Sequence, residues 1–265
     1  MRIITFLNEK GGVGKTTLAT HMASGLAVKG YRVMLVDADP QGHATVSLGL
    51  KKEAGLLNLL INDWEFSDVL RTPATDIYAL QDSAPAGKLF VLPSAVGVRA
   101  IPGAMEDVTL LAQRFDEVKN DIDAVIIDTS PTPSLLHSSI YLATDGILFP
   151  TECEYLSIDG LANSVNRRAN FNPLRLQINR QPIEVLGIVP NKYERKTVLH
   201  NEHLKMLLKK FGRHVWSPIP KYTSWREASA ARRMVWALDP ESKSADIAWK
   251  FVNRMSERLA QWQSV

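Results

Sequence analysis

Cys153 is the only cysteine among 265 residues, so the chain can form neither an internal disulfide nor a cluster of thiolate ligands. It also lacks any run of about eighteen apolar residues, the length a membrane-crossing helix requires. The first strand-like segment starts at Ile3, which leaves no stretch that reads as a cleaved leader. A reducing, cytoplasmic setting is therefore expected, with Cys153 as a small buried residue. Repeats and low-complexity segments are missing too. A chain of this length suits one large domain spanning residues 1–265.

No charge of one sign dominates: 31 Lys and Arg oppose 28 Asp and Glu, a net +3. The balance hides an asymmetry. From residue 191 onward 15 basic side chains face 7 acidic ones, and before it 16 face 21, so the last part carries +8 and the rest −5. A basic C-terminal region on an otherwise acidic chain is the footprint expected for a polyanion partner.

What is present is alternation. Short β-branched runs predict strands at residues 3–7, 33–37, 89–93, 124–128, 146–150, 185–190 and 214–219. Several are apolar throughout, as strands covered on both faces are. Longer amphipathic segments predict helices at residues 15–29, 102–115, 134–142, 158–170, 198–211, 225–234 and 241–261. The expected fold class is α/β, with a single doubly wound, mostly parallel sheet flanked by helices. Residues 51–87 fit the pattern least. Apart from a helix-like stretch at 56–61 they read as a surface excursion.

The segment Asn8-Glu9-Lys10-Gly11-Gly12-Val13-Gly14-Lys15-Thr16-Thr17 joins the first strand to the first helix. A glycine-rich turn there cradles phosphates, because backbone N–H groups converge on phosphate oxygens only where side chains do not block the approach. Gly11, Gly12, Val13, Gly14, Lys15, Thr16 and Thr17 would form that cradle, with Lys15 on the β- and γ-phosphates and the Thr16 hydroxyl on Mg²⁺. ATP and Mg²⁺ are the expected cofactors. The second strand runs into Asp37-Ala38-Asp39, two carboxylates on one side of the strand. They lie at the edge where open α/β sheets bind ligands. Both are placed to share the orientation of water and the organisation of Mg²⁺. A further buried strand ends in Asp128, an acid suited to holding Mg²⁺.

The loop departs from the ordinary pattern in one respect: Glu9 stands where glycine is usual, and Lys10 follows it. This second lysine resembles the ParA/MinD family of ATPases. So do Asp39-Pro40-Gln41-Gly42-His43-Ala44-Thr45, Asp128-Thr129-Ser130-Pro131, Pro190-Asn191, and Ile219-Pro220 followed by Glu227-Ala228. The resemblance covers nearly the whole chain and implies a P-loop NTPase of the SIMIBI type. It implies that Lys10 reaches across an ATP-bound homodimer to the partner's phosphates, and that Lys10, Lys15 and Asp39 serve catalysis. By the same resemblance Thr16, Asp39 and Asp128 organise the metal, while Asn191 and Pro220 line the adenine. His43 replaces the family's usual Asn, and Ser130 the commoner first proline, a change expected to loosen the second switch. Glu9 leans toward the ParA branch.

The function so implied is a slow, partner-stimulated ATP hydrolase that binds DNA non-specifically. It would position a plasmid, a chromosome or a protein assembly on the nucleoid with a ParB-like or other small adaptor. Arg195, Lys196, Lys221, Arg226, Arg232 and Arg233 are the candidate DNA-phosphate contacts. The rival is a MinD-like membrane-associated ATPase, since Ile247, Phe251, Met255, Leu259 and Trp262 share one helical face beside Lys250, Arg254 and Arg258. Packing of that stripe on the sheet is the expected explanation. An iron–sulfur reductase of the nitrogenase iron-protein kind is excluded, because one cysteine per chain cannot supply four thiolates across a dimer.

Overall fold

The computed structural model describes residues 1–80 and 84–263, with the backbone alone for 155–159 and 263. Its strands are β1 (Arg2–Phe6), β2 (Arg32–Ala38), β3 (Lys88–Leu92), β4 (Ala124–Thr129), β5 (Gly146–Glu152) and β6 (Glu184–Asn191). They form one sheet in the order β3-β2-β4-β1-β5-β6, parallel at every pairing. The register sets Asp128 opposite both Phe6 and Asp37. The carboxyl ends of β1, β2 and β4 therefore stop at one level, where the winding reverses direction and a crevice opens.

Apolar residues alternate between two cores because both faces of these strands are covered. Ile4, Phe6, Leu35 and Ile126 meet the helices Lys15–Val28 and Lys243–Gln263 on one face. Ile3, Met34, Val36 and Ile127 meet the helices Leu110–Glu117 and Leu135–Ala143 on the other. The first and last helices approach closely at Gly25, where a Cβ would lie 2.6 Å from Val252. The stripe on the last helix thus has its explanation in the core. Phe251, Met255 and Leu259 are buried, Ile247 and Trp262 pack against the same cluster, and the Phe251 ring stands edge-on to Phe6 and Trp216. Each large apolar side chain so buried contributes about 1.5–3 kcal/mol, which an insertion into lipid would have to replace.

Three predicted elements come out differently. Residues 214–219 do not form a seventh strand. They bridge β6 once, Ile188 with Val215, and a second bridge, Tyr193 with Pro220, lies beyond both segments. The Trp216 N–H reaches Ile188 O, but Pro218 has no N–H to continue the ladder and Ile219 donates to Pro190 O instead. The helix expected at 102–115 is broken into Ile101–Ala104 and Leu110–Glu117. Asp107 holds the interruption by accepting from the Thr109 N–H at 2.8 Å and the Thr109 hydroxyl at 2.7 Å. The helix expected at 225–234 runs Thr223–Ala230 and stops before Arg232, whose φ of 51° is left-handed. Within 51–87, Gly55–Ile61 is helical as expected, and Arg71 bridges to Val91 beside β3.

Candidate functional site

The phosphate loop joins β1 to the helix Lys15–Val28. Gly12 and Gly14 have φ of 78° and 94°, conformations that L side chains rarely adopt. A Cβ on Gly11 or Gly12 would meet nothing within 4 Å, so both backbones face open space. Asn8, which the sequence reading passed over, anchors the loop. Its amide donates to Pro150 O at 2.7 Å, and its Oδ1 accepts from the Lys10 N–H at 2.9 Å. Lys15 is buried under the loop, with Nζ donating to Asn8 O at 2.8 Å and Lys10 O at 3.2 Å. Burial pulls its pKa below the usual lysine value, against the opposing pull of Asp128 and Asp39.

The crevice is a cleft of about 900 Å³ lined by Gly11, Gly12, Gly14, Lys15, Thr16 and Thr17 on one side. Asp39, Pro40, Gln41 and His43 face them, and residues 129–132 with Ser134 close the end. The two carboxylates of β2 do not share one duty. Asp37 is fully buried and turned inward, its Oδ2 accepting from the Thr45 N–H at 2.8 Å and the Thr45 hydroxyl at 2.7 Å. Burial raises its pKa to about 6. Asp39 alone reaches the cleft. A closed network fixes it, because Ser94 donates its N–H to Thr45 Oγ1 at 3.1 Å and its hydroxyl to Asp39 O at 2.7 Å. Asp39 N–H in turn donates to Asp37 Oδ1 at 3.2 Å. The expectation that both acids share the water and the metal fails for Asp37, which is a strut turned away from the cleft.

Asp128 is fully buried, and beyond the neighbouring Thr16 hydroxyl its carboxylate has no hydrogen-bond donor among the described residues. Burial first, and then the charge of Asp37, pushes its pKa well up, although the Thr16 hydroxyl and the Lys15 charge work the other way. A buried acid so short of donors is costly. A divalent cation next to Thr16 and Asp128 would satisfy it. No cluster of three or more His, Cys, Asp or Glu side chains suited to a metal occurs among the described residues. The Thr16 hydroxyl and the Asp128 carboxylate are oxygen donors of the kind that fits Mg²⁺, which binds through one or two protein groups with waters and nucleotide phosphates.

Two lysines and two glutamates crowd the loop's outer edge. Lys10 Nζ pairs with Glu154 and, at 3.4 Å, with Glu152. Lys192 has a left-handed φ of 52° and bridges Gly12 O at 2.6 Å to Glu152 at 2.8 Å. On the expected base side, Asn191 is buried and its amide donates to Val13 O at 2.8 Å. Pro220 is half-buried beside Tyr193, and neither residue lines the cleft. Asn191 is thus a strut beneath the loop, close enough that a Cβ on Gly14 would lie 2.1 Å from its nitrogen. Asn191→Ala is expected to weaken ATP and GTP by the same factor, about tenfold, since it leaves Val13 O unpaired and frees the loop. Titration with both nucleotides checks this, and a loss confined to ATP would restore the adenine-edge role.

A family model described as an AAA domain matches residues 1–180. The chain is 30% identical over 250 residues to the sporulation initiation inhibitor protein Soj of Bacillus subtilis, covering 93% of this chain and 94% of that one. The chain belongs to the ParA/MinD superfamily of ATPases. The chromosome-partitioning ATPase Soj of Thermus thermophilus is likewise 30% identical over 262 residues, 98% of each chain. The fold matches the septum site-determining protein MinD of Pyrococcus horikoshii, solved with Mg-ADP, at a TM-score of 0.74 and 21% identity over 96% of this chain and 95% of that one. In this ParA/MinD-type chain the loop and Asp39 line one cleft, and Asp128 is buried beneath it beside Thr16 and Lys15. The six basic candidates lie outside it.

Proposed function

We propose that the protein is a positioning ATPase whose ATP-bound dimer holds DNA without sequence preference until hydrolysis, stimulated by an adaptor, releases it. In this reading Lys15 and the loop N–H groups hold the phosphates, Asp39 orients the attacking water, and Thr16 and Asp128 hold Mg²⁺. The metal, when bound, would neutralise charge on the β- and γ-phosphate oxygens. Lys10 would exchange Glu152 and Glu154 for the partner's phosphates on dimerisation. The likeness to the chromosome-partitioning ATPase Soj of Thermus thermophilus supports this reading.

The observation that carries the DNA surface is a set of uncompensated cations. Arg195, Lys196, Arg226 and Arg232 are exposed and make no ion pair among the described residues. Two other candidates are already occupied. Lys221 pairs with Glu194 at 2.6 Å, and the Arg233 guanidinium donates to Asp76 O at 3.0 Å and 3.2 Å. The useful test therefore spares Arg233, whose loss would disturb the insertion. Replacing Arg226 and Arg232 together by Glu is expected to weaken duplex binding about tenfold or more while ATP-dependent dimerisation persists, because each phosphate contact also releases counterions. Gel shifts across a salt series measure it. DNA held equally well by the double variant would place the contact elsewhere. No helix among the described residues is long and apolar enough to cross a membrane. Sedimentation of wild type with anionic liposomes, and not with DNA, would replace this reading by the membrane one.

A further inference from the structure

The second switch, residues 130–134, forms the end wall of the phosphate cleft through Ser130, Pro131, Thr132 and Ser134. With Ser130 in place of a proline, this loop was expected to be loose. It is instead closed by one ring. His137 Nε2 lies 3.1 Å from Ser130 O at the start of the loop, and Nδ1 lies 3.2 Å from Ser134 Oγ at its end. A carbonyl oxygen only accepts, so Nε2 carries the proton and donates to Ser130 O. In the neutral ring Nδ1 then accepts from the Ser134 hydroxyl. Burial favours that neutral ring, and Lys15 and Arg167 reinforce it, although Ser130 O and Glu9 pull the other way.

The arrangement departs from an ordinary helix start. Ser134 is the N-cap of Leu135–Ala143, where a serine hydroxyl would normally accept a backbone N–H, yet it makes no such cap bond and is held by His137 instead. Two of the five loop residues, Pro131 and Pro133, already have φ fixed by their rings. With both ends tied to one imidazole, the wall facing Lys15 and Asp39 has little conformational freedom left. Its order does not have to be gained during the reaction.

We propose that His137 is a positioning residue for ATP hydrolysis, holding residues 130–134 in the shape that encloses the reacting phosphate. It touches no substrate itself and acts through the loop. The inference rests on the ATPase reading of the cleft. Removing the ring's nitrogens should therefore lower turnover more than nucleotide affinity, since the cradle of Gly11 to Thr17 is untouched.

The test uses the full-length protein and single-turnover hydrolysis of Mg-ATP, with affinity measured separately by a fluorescent ATP analogue. His137→Phe keeps an aromatic ring, a somewhat larger one, and removes both hydrogen bonds. Its rate should drop about ten- to hundredfold with affinity near that of wild type. His137→Gln retains an N–H able to reach Ser130 O and should recover most of the rate, which a purely volumetric role would not allow. Ser134→Ala removes only the second tie and should slow hydrolysis in the same sense. Combined with His137→Phe it should add nothing, because both act through one contact. A His137→Phe protein that hydrolyses as fast as wild type, or a Gln variant no better than Phe, overturns the inference. Wild type that binds Mg-ATP and never hydrolyses it overturns the ATPase reading and this inference with it.

Discussion

Lys15→Ala is expected to lower Mg-ATP affinity about a hundredfold or more, because a buried charge-assisted contact to phosphate is lost where water cannot replace it. The geometry makes the loss hard to compensate. Lys15 Nζ sits inside its own loop, on Asn8 O and Lys10 O. It is also the cation that offsets the carboxylates of Asp128 and Asp39. Without it, a polyphosphate would enter a cleft holding two acids and no buried positive charge. Lys10 is a poor substitute, since Glu152 and Glu154 engage its ammonium. Titration with a fluorescent ATP analogue, alongside circular dichroism to establish that the variant is folded, reads the effect. Wild-type affinity in a folded Lys15→Ala protein would remove the phosphate-loop assignment.

The parts of this site that were legible in the sequence are those that backbone geometry imposes on residue type. Gly12 and Gly14 must be glycine at positive φ, and Asp128 must end a buried strand, so a strand, turn and helix in that order identify the cleft. The pairings were not legible, because they join residues far apart in the chain. Asp37 and Asp39 look equivalent by alternation, and only Thr45 and Ser94, brought in from the next turn and from beyond β3, divide their roles. Asn191 offers an amide that could equally face a base or a loop, and only the fold sets its nitrogen on Val13 O beside Gly14. Lys221 and Arg233 read as free cations until Glu194 and the carbonyl of Asp76 are placed beside them. His137 carried no pattern at all, being the first of three polar residues, His137, Ser138 and Ser139, in an otherwise mostly apolar helix. The seventh strand failed for a local reason that was visible: Pro218, inside residues 214–219, has no N–H to give the ladder.

Asp39→Ala should separate binding from chemistry. Turnover is expected to fall about a hundredfold or more, the usual scale for a lost water-positioning or general-base group, while ATP binding stays close to wild type. The reason is spatial. Asp39 reaches the cleft from β2, across from the loop that holds the phosphates, and its backbone is pinned by Ser94 and Asp37 rather than by its own carboxylate. The carboxylate's one described contact is Oδ1 accepting from the Gln41 N–H at 2.8 Å, an exposed turn whose loss costs little. Truncation should therefore leave Asp37, Thr45 and the phosphate loop in place and remove only the group that faces the attacking water. If ATP also drives dimerisation, the variant should accumulate as an ATP-dependent dimer, because assembly proceeds and the hydrolysis that ends it does not. Light scattering with ATP and single-turnover hydrolysis on the same preparation measure both halves. Wild-type turnover in Asp39→Ala would transfer the water-orienting role to another group at the cleft, and loss of ATP binding in step with turnover would make Asp39 a part of the nucleotide cradle instead.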